Sequence, residues 1–189
     1  LGCGVVWSCV AGGVEKGSDP FACPTAAEFG QAAVNPTTVS GLPARESSDD
    51  RFRIFESFSG ITGQIVALRW WGTYYDASEI TGPGPCQQSN VTFTVRFWED
   101  ANGAPGRNFA ALRGSLPPTQ ILTEDGQVYL EYSAALDPVI VLRAGWVSIQ
   151  GETANPDDDS LCNFYWMTST QGDGSAIRET LATGSRDTI

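Results

Sequence analysis

The chain has 189 residues, with 41% hydrophobic and 17% charged side chains and a net charge of −11. That is enough apolar chain for one domain with a two-layer core. The arginines stand singly beside the lone Lys16, so no basic stripe exists to neutralise nucleic-acid phosphates or an anionic membrane.

Residues 1–48 are rich in Gly, Ala, Pro, Ser and Thr, lack a long periodic stretch, and read as an N-terminal extension with one or two short strands, chiefly Val5–Val10. The segment Gly2–Gly13 (GCGVVWSCVAGG) is too short to span a membrane and has no basic leader region. Val5, Val6, Trp7 and Val10 are nevertheless too apolar for a free tail. Residues 2–13 are expected to pair with an edge of this domain or with that of a neighbouring copy. A donated strand gains affinity from main-chain hydrogen bonds and register from alternate side-chain pockets. A start at Leu1 fits a mature chain that has lost a signal peptide, and a trimmed chain would look the same.

From residue 49 to 189 short strands alternate with turn chemistry. Arg51–Phe58 and Gln64–Tyr75 are rich in aromatic and β-branched residues, and the turn cluster Gly82–Cys86 (GPGPC) follows. Asn90–Trp98 is the clearest strand: Val91, Phe93, Val95 and Phe97 alternate with Thr92, Thr94, Arg96 and Trp98. Glu99–Arg107 reads as a turn through Asn-Gly and Pro-Gly. Further strands are expected at Thr119–Leu122, Gln127–Ser133, Val139–Leu142, Trp146–Gln150, Asn163–Thr168 and Ala176–Leu181. Val139–Leu142 and Trp146–Gln150 are expected to form a hairpin. The tail after Gly172 reads as a linker or a last edge strand. The expected fold is an all-β antiparallel sandwich of jelly-roll type at 49–189, behind the extension.

The cysteines Cys3, Cys9, Cys23, Cys86 and Cys162 are far apart, form no C-x-x-C pair, and have no histidine to complete a zinc site. Disulfides and an oxidising compartment are the better reading. Cys86 and Cys162 are the expected pair within the sandwich, and two of the other three are expected to join. The odd cysteine is left free or bridges to another chain.

The motifs RWWGTYY (Arg69–Tyr75), FTVRFWEDANGAPG (Phe93–Gly106), LRAGWVSIQ (Leu142–Gln150) and NFYWMTSTQGDG (Asn163–Gly174) resemble a loosely defined group of bacterial secreted β-sandwich modules. The resemblance spans Ile61–Trp166 and implies export, a sandwich fold and no catalytic role.

Without histidine, Ser-His-Asp and Cys-His catalysis is excluded. A glycosidase-like carboxylate pair would draw on Glu99, Asp100, Glu131 and Glu152, but the first two begin a turn and Glu131 reads as solvent-facing. Asp157, Asp158 and Asp159 offer hard oxygens suited to calcium, yet match no EF-hand loop; no other cofactor is implied. Asn90 opens the only N-x-[ST] sequon. Along Val66–Tyr75 one face carries Val66, Leu68, Trp70 and Tyr74, the other Ala67, Arg69, Trp71 and Tyr75. One set, with Trp98, is expected either to lie under flanking chain or to offer rings to a glycan or protein. The leading expectation is an extracellular, non-enzymatic subunit of a filament or surface layer, a homo-polymer joined by strand donation. The alternative is a carbohydrate-binding or adhesive module using Trp70, Trp71, Tyr74, Tyr75 or Trp98.

Overall fold

The computed structural model describes residues 2–3, 5–8, 27–30, 44–76, 84–85, 91–124, 126–152, 162–169 and 176–189, with backbone alone for 2–30, 76, 84–85, 124 and 168 within that set. The described strands are β1 (Gly2–Cys3), β2 (Val5–Ser8), β3 (Ala27–Gly30), β4 (Ala44–Glu46), β5 (Phe52–Phe58), β6 (Ile65–Asp76) and β7 (Gly84–Pro85). They continue with β8 (Val91–Asp100), β9 (Pro105–Leu116), β10 (Gln120–Glu124), β11 (Gln127–Ile140), β12 (Gly145–Gly151), β13 (Cys162–Ser169), β14 (Ile177–Thr180) and β15 (Ser185–Thr188).

These strands form an antiparallel β-sandwich. The first sheet runs β1-β13-β6-β11-β10, with β2, β3, β4 and β7 attached beside that path; the second runs β15-β14-β5-β12-β8-β9. Period-two alternation decides which side chains meet between the sheets. Val91, Phe93, Val95 and Phe97 of β8 are all buried, and they join Leu68, Trp70 and Tyr74 of β6 in one core. The opposite faces bury smaller clusters, Trp71 with Ala44, Tyr129 and Met167 on the first sheet and Phe55 with Trp146 and Ile177 on the second.

A short strap ties the sheets at one end. Ser47 N donates to Phe164 O of the first sheet at 2.9 Å, while Ser47 Oγ donates to Ile149 O of the second at 2.6 Å. Gly151 lies where the layers approach. A Cβ there would sit 2.5 Å from Phe164 Cβ and 2.6 Å from the Tyr74 hydroxyl.

Several expectations need correction. Val139–Leu142 and Trp146–Gln150 do not form a hairpin, because β11 belongs to the first sheet and β12 to the second. Gln127–Ser133 and the first half of Val139–Leu142 (Val139 and Ile140) are instead parts of β11, whose register against β6 shifts between Ala135 and Ile140. Pro138, which has no N–H to give to a ladder, falls in that irregular stretch. Strand β9 was not expected at all. Among the described strands it lies at the edge of the second sheet, and most of its side chains are exposed or half-buried, so its residues carry no strong apolar pattern. In the tail, β15 is the last edge strand. The described parts of the extension, β1–β4, add to the first sheet.

Burial also sets a pH limit. Desolvation raises the Tyr74 and Tyr132 hydroxyls well above their ordinary value of 10.0, and Tyr165 is pushed up to about 12 by burial and then by Glu46. Above pH 10 the unfolded chain releases protons that the folded chain keeps. The stability contributed by these groups is thus fully present below pH 10 and lost as pH rises through their folded values. Urea midpoints are expected to be level from pH 8 to 9.5 and to fall steeply above about 10. Tyr74→Phe combined with Tyr132→Phe is expected to flatten that fall, since neither hydroxyl has a hydrogen-bond partner among the described residues. An unchanged slope in the double variant would contradict this cause.

Candidate functional site

The N-terminal strands occupy a fork in the first sheet. β13 and β6 pair from Cys162 opposite Asp76 to Trp166 opposite Gly72. Beyond that point β1 sets Gly2 and Cys3 against Ser169 and Thr168 of β13, and β2 sets Val5 and Val6 against Trp70 and Arg69 of β6. β3 closes on β2, with Trp7 opposite Phe29. On its other side β6 pairs with β11, Tyr132 lying opposite Trp70. The N-terminal segment therefore supplies main-chain partners to two strands just where they stop pairing with each other. An edge left open there would be a template for a strand from any source. Val10 lies outside the described residues.

The aromatic expectation divides. Trp70, Trp71 and Tyr74 are at most 1% exposed and offer no ring face to a ligand. Trp70 meets the Phe93 ring edge-on at 5.2 Å and stacks on Tyr132 at 5.8 Å. Trp71 points to the other side of the first sheet, where Ala44 of β4 helps cover it. Flanking chain thus does part of the covering. Tyr75 is half-buried against Tyr165, and Trp98 is half-buried on the outer face of the second sheet. There Trp98 Nε1 donates to Ser148 Oγ at 3.1 Å.

The four acids considered for catalysis each have a structural partner. Glu99 pairs with Arg107, and Glu152 accepts from Arg113 Nε at 2.6 Å. Asp100 accepts from Trp146 Nε1 at 2.9 Å and from Gly103 N at 3.2 Å, holding the turn that follows β8. Glu131 is not solvent-facing. It is 7% exposed, paired with Arg69, and accepts from Thr119 Oγ1 at 2.9 Å. The local alternation is intact, but Arg69 on the neighbouring strand turns an apparently outward position into a buried ion pair. Glu131 belongs to the first sheet, and Glu99, Asp100 and Glu152 lie on or beside the second.

One carboxyl escaped the sequence reading. Burial raises the Glu46 pKa against the opposing pull of Arg51 and the Ser48 hydroxyl, and Asn163 Nδ2 donates to it at 3.0 Å. An isolated Glu in a Ser-rich stretch carries no signal of that.

Cys162 is buried at the start of β13, and Cys3 is placed by its backbone on β1. Cys9, Cys23, Cys86, Asn90 and Asp157–Asp159 lie outside the described residues. Among the described residues, no group of three or more acids or cysteines is arranged to hold a metal ion. No protein-family model, curated protein or solved structure matches the chain.

Proposed function

We propose that the chain is an extracellular, non-enzymatic structural module that joins copies of itself by exchanging the N-terminal strand, residues 2–13. The observation that carries this reading is the seat of β1 and β2 in the fork between β13 and β6. A short terminal segment that completes a sheet by main-chain pairing can complete the same sheet of a neighbour with the same register, which is the condition for strand exchange. A heterologous contact of this kind need not close, and repeated it builds a filament.

Other features lend support. The motif resemblance to secreted bacterial modules favours export. So would a disulfide between Cys86 and Cys162, the pair expected within the sandwich. An odd number of cysteines leaves one to lock a subunit to the next. The absence of histidine and the arginine-paired acids favour a role without catalysis.

Native material is expected to show polymers by negative-stain microscopy. A chain lacking residues 2–13 is expected to stay monomeric in light scattering and to regain order when a peptide of that segment is added. Assembly by the truncated chain, or a full chain that stays monomeric at high concentration, would refute strand exchange.

A further inference from the structure

The outer face of the second sheet gathers cations that strand exchange does not use. Opposite the buried row of β8, alternation places Thr92, Thr94, Arg96 and Trp98 on this face. Ser148 and Gln150 stand beside them on β12, in register with Arg96 and Thr94, and Arg53 joins them from β5.

Gln150 organises the centre. It is 2% exposed, and its Nε2 donates to Ser48 O at 2.9 Å, which fixes the direction of the amide. Its Oε1 accepts from Arg53 Nε at 2.9 Å and from Arg96 Nη1 at 2.7 Å. Two guanidinium groups thus converge on one neutral oxygen. The Arg53 charge is answered by Glu179, at 2.8 Å, which also holds Arg186 at 3.0 Å. Arg96 meets no carboxylate among the described residues. Burial disfavours the charge on both Arg53 and Arg96, and Arg96 adds its own repulsion to Arg53. Two arginines held close with one carboxylate too few suit a planar anion, which accepts from both forks.

We propose that this face binds a carboxylate-bearing polysaccharide of the polyuronate kind, with Arg53 and Arg96 gripping one carboxylate and Thr92 and Thr94 bonding the adjoining sugar hydroxyls. Charge complementarity selects the occupant. On a chain of net charge −11, this face collects Arg53, Arg96, Arg113 and Arg186 against Asp100, Glu152 and Glu179, and Asp100 is taken up by Trp146 Nε1 and Gly103 N at the end of β8. Repulsion from the rest of the molecule is screened beyond about 10 Å at 0.1 M salt, so a polyanion feels mainly the local excess. The hydroxyl row favours a sugar chain over an acidic peptide, since hydroxyls are what saccharides contact, while the Trp98 ring lies under Arg53 at 5.3 Å and helps to hold that guanidinium. The site uses residues of the second sheet alone and does not depend on strand exchange.

The test is titration calorimetry of the full chain with polygalacturonate, dextran and polyglutamate as probes. Binding to polygalacturonate, weakening with salt and absent for dextran, is the expected result. Arg96→Gln is expected to weaken it at least tenfold with an unchanged melting temperature. Thr94→Val, which keeps the side-chain shape, is expected to weaken it several-fold. No binding to polygalacturonate, equal binding to polyglutamate, or full binding by both variants would overturn the proposal. Loss of assembly in the chain lacking residues 2–13 leaves this binding in place, so the two readings fail separately.

Discussion

Replacing Trp70 with alanine is expected to cost about 3–5 kcal/mol, the range for removing a large aromatic side chain from a close-packed core. Trp70 is 0% exposed, and its ring links the sheets by meeting Phe93 of β8 edge-on and stacking on Tyr132 of β11. Phe93, the neighbour across the sheets, is itself held by Phe164 at 5.0 Å, which limits how far it can move into the space the ring leaves. Urea unfolding of Trp70→Ala beside Trp98→Ala measures the effect. Trp98 is half-buried and packs mainly on Phe55, so its removal is expected to cost clearly less. Equal losses would show that the core is not centred where the aromatic contacts place it. The comparison also shows why a ligand-binding screen with Trp70→Ala would mislead: lost binding would report lost folding.

The second large effect is expected at Gly72. This residue pairs with Trp166 on one side and Leu130 on the other, so its strand cannot shift sideways. A Cβ there would overlap the Phe164 ring and approach Tyr165 O at 2.9 Å. Overpacking costs about 1–3 kcal/mol where the surroundings can yield, and Gly72→Ala is expected at the top of that range. The Phe164 ring has little room to retreat, since Tyr74 at 5.5 Å and Phe93 at 5.0 Å hold it. Adding Phe164→Leu should recover part of the loss, giving a coupling of at least about 0.5 kcal/mol between the two sites. Strict additivity of the two losses would mean that the ring is not what Gly72 accommodates.

Parts of this architecture were legible from local pattern. Alternation alone separated the buried Val91–Phe97 row from Arg96 and Trp98, and it put Leu68, Trp70 and Tyr74 on one face of β6. The aromatic motif RWWGTYY pointed to a functional surface as readily as to a core, however. Its two faces both proved largely buried, one between the sheets and one beneath Ala44 and its neighbours. A strand's period states which residues share a face, and says nothing about what lies against that face.

The same distinction governs the sites. Residues 2–8 announced a strand by their apolar run, but its seat between β13 and β6 depends on two strands nearly a hundred residues apart. The arginine centre had no local signature at all. Arg53, Arg96, Gln150 and Glu179 come from four strands and meet only because β14, β5, β12 and β8 are consecutive neighbours in one sheet.

By itself, then, the sequence determined the strand periodicity, the absence of histidine chemistry and the apolar character of the N-terminal segment, because these depend on residue type and on spacing within one stretch of chain. Tertiary structure alone decided which tryptophans are covered, that Glu131 faces Arg69 rather than water, and that Val139 and Trp146 belong to different sheets. Those outcomes turn on which distant strands lie side by side, and pairing of that kind is set by the summed burial of both sheets rather than by any local pattern.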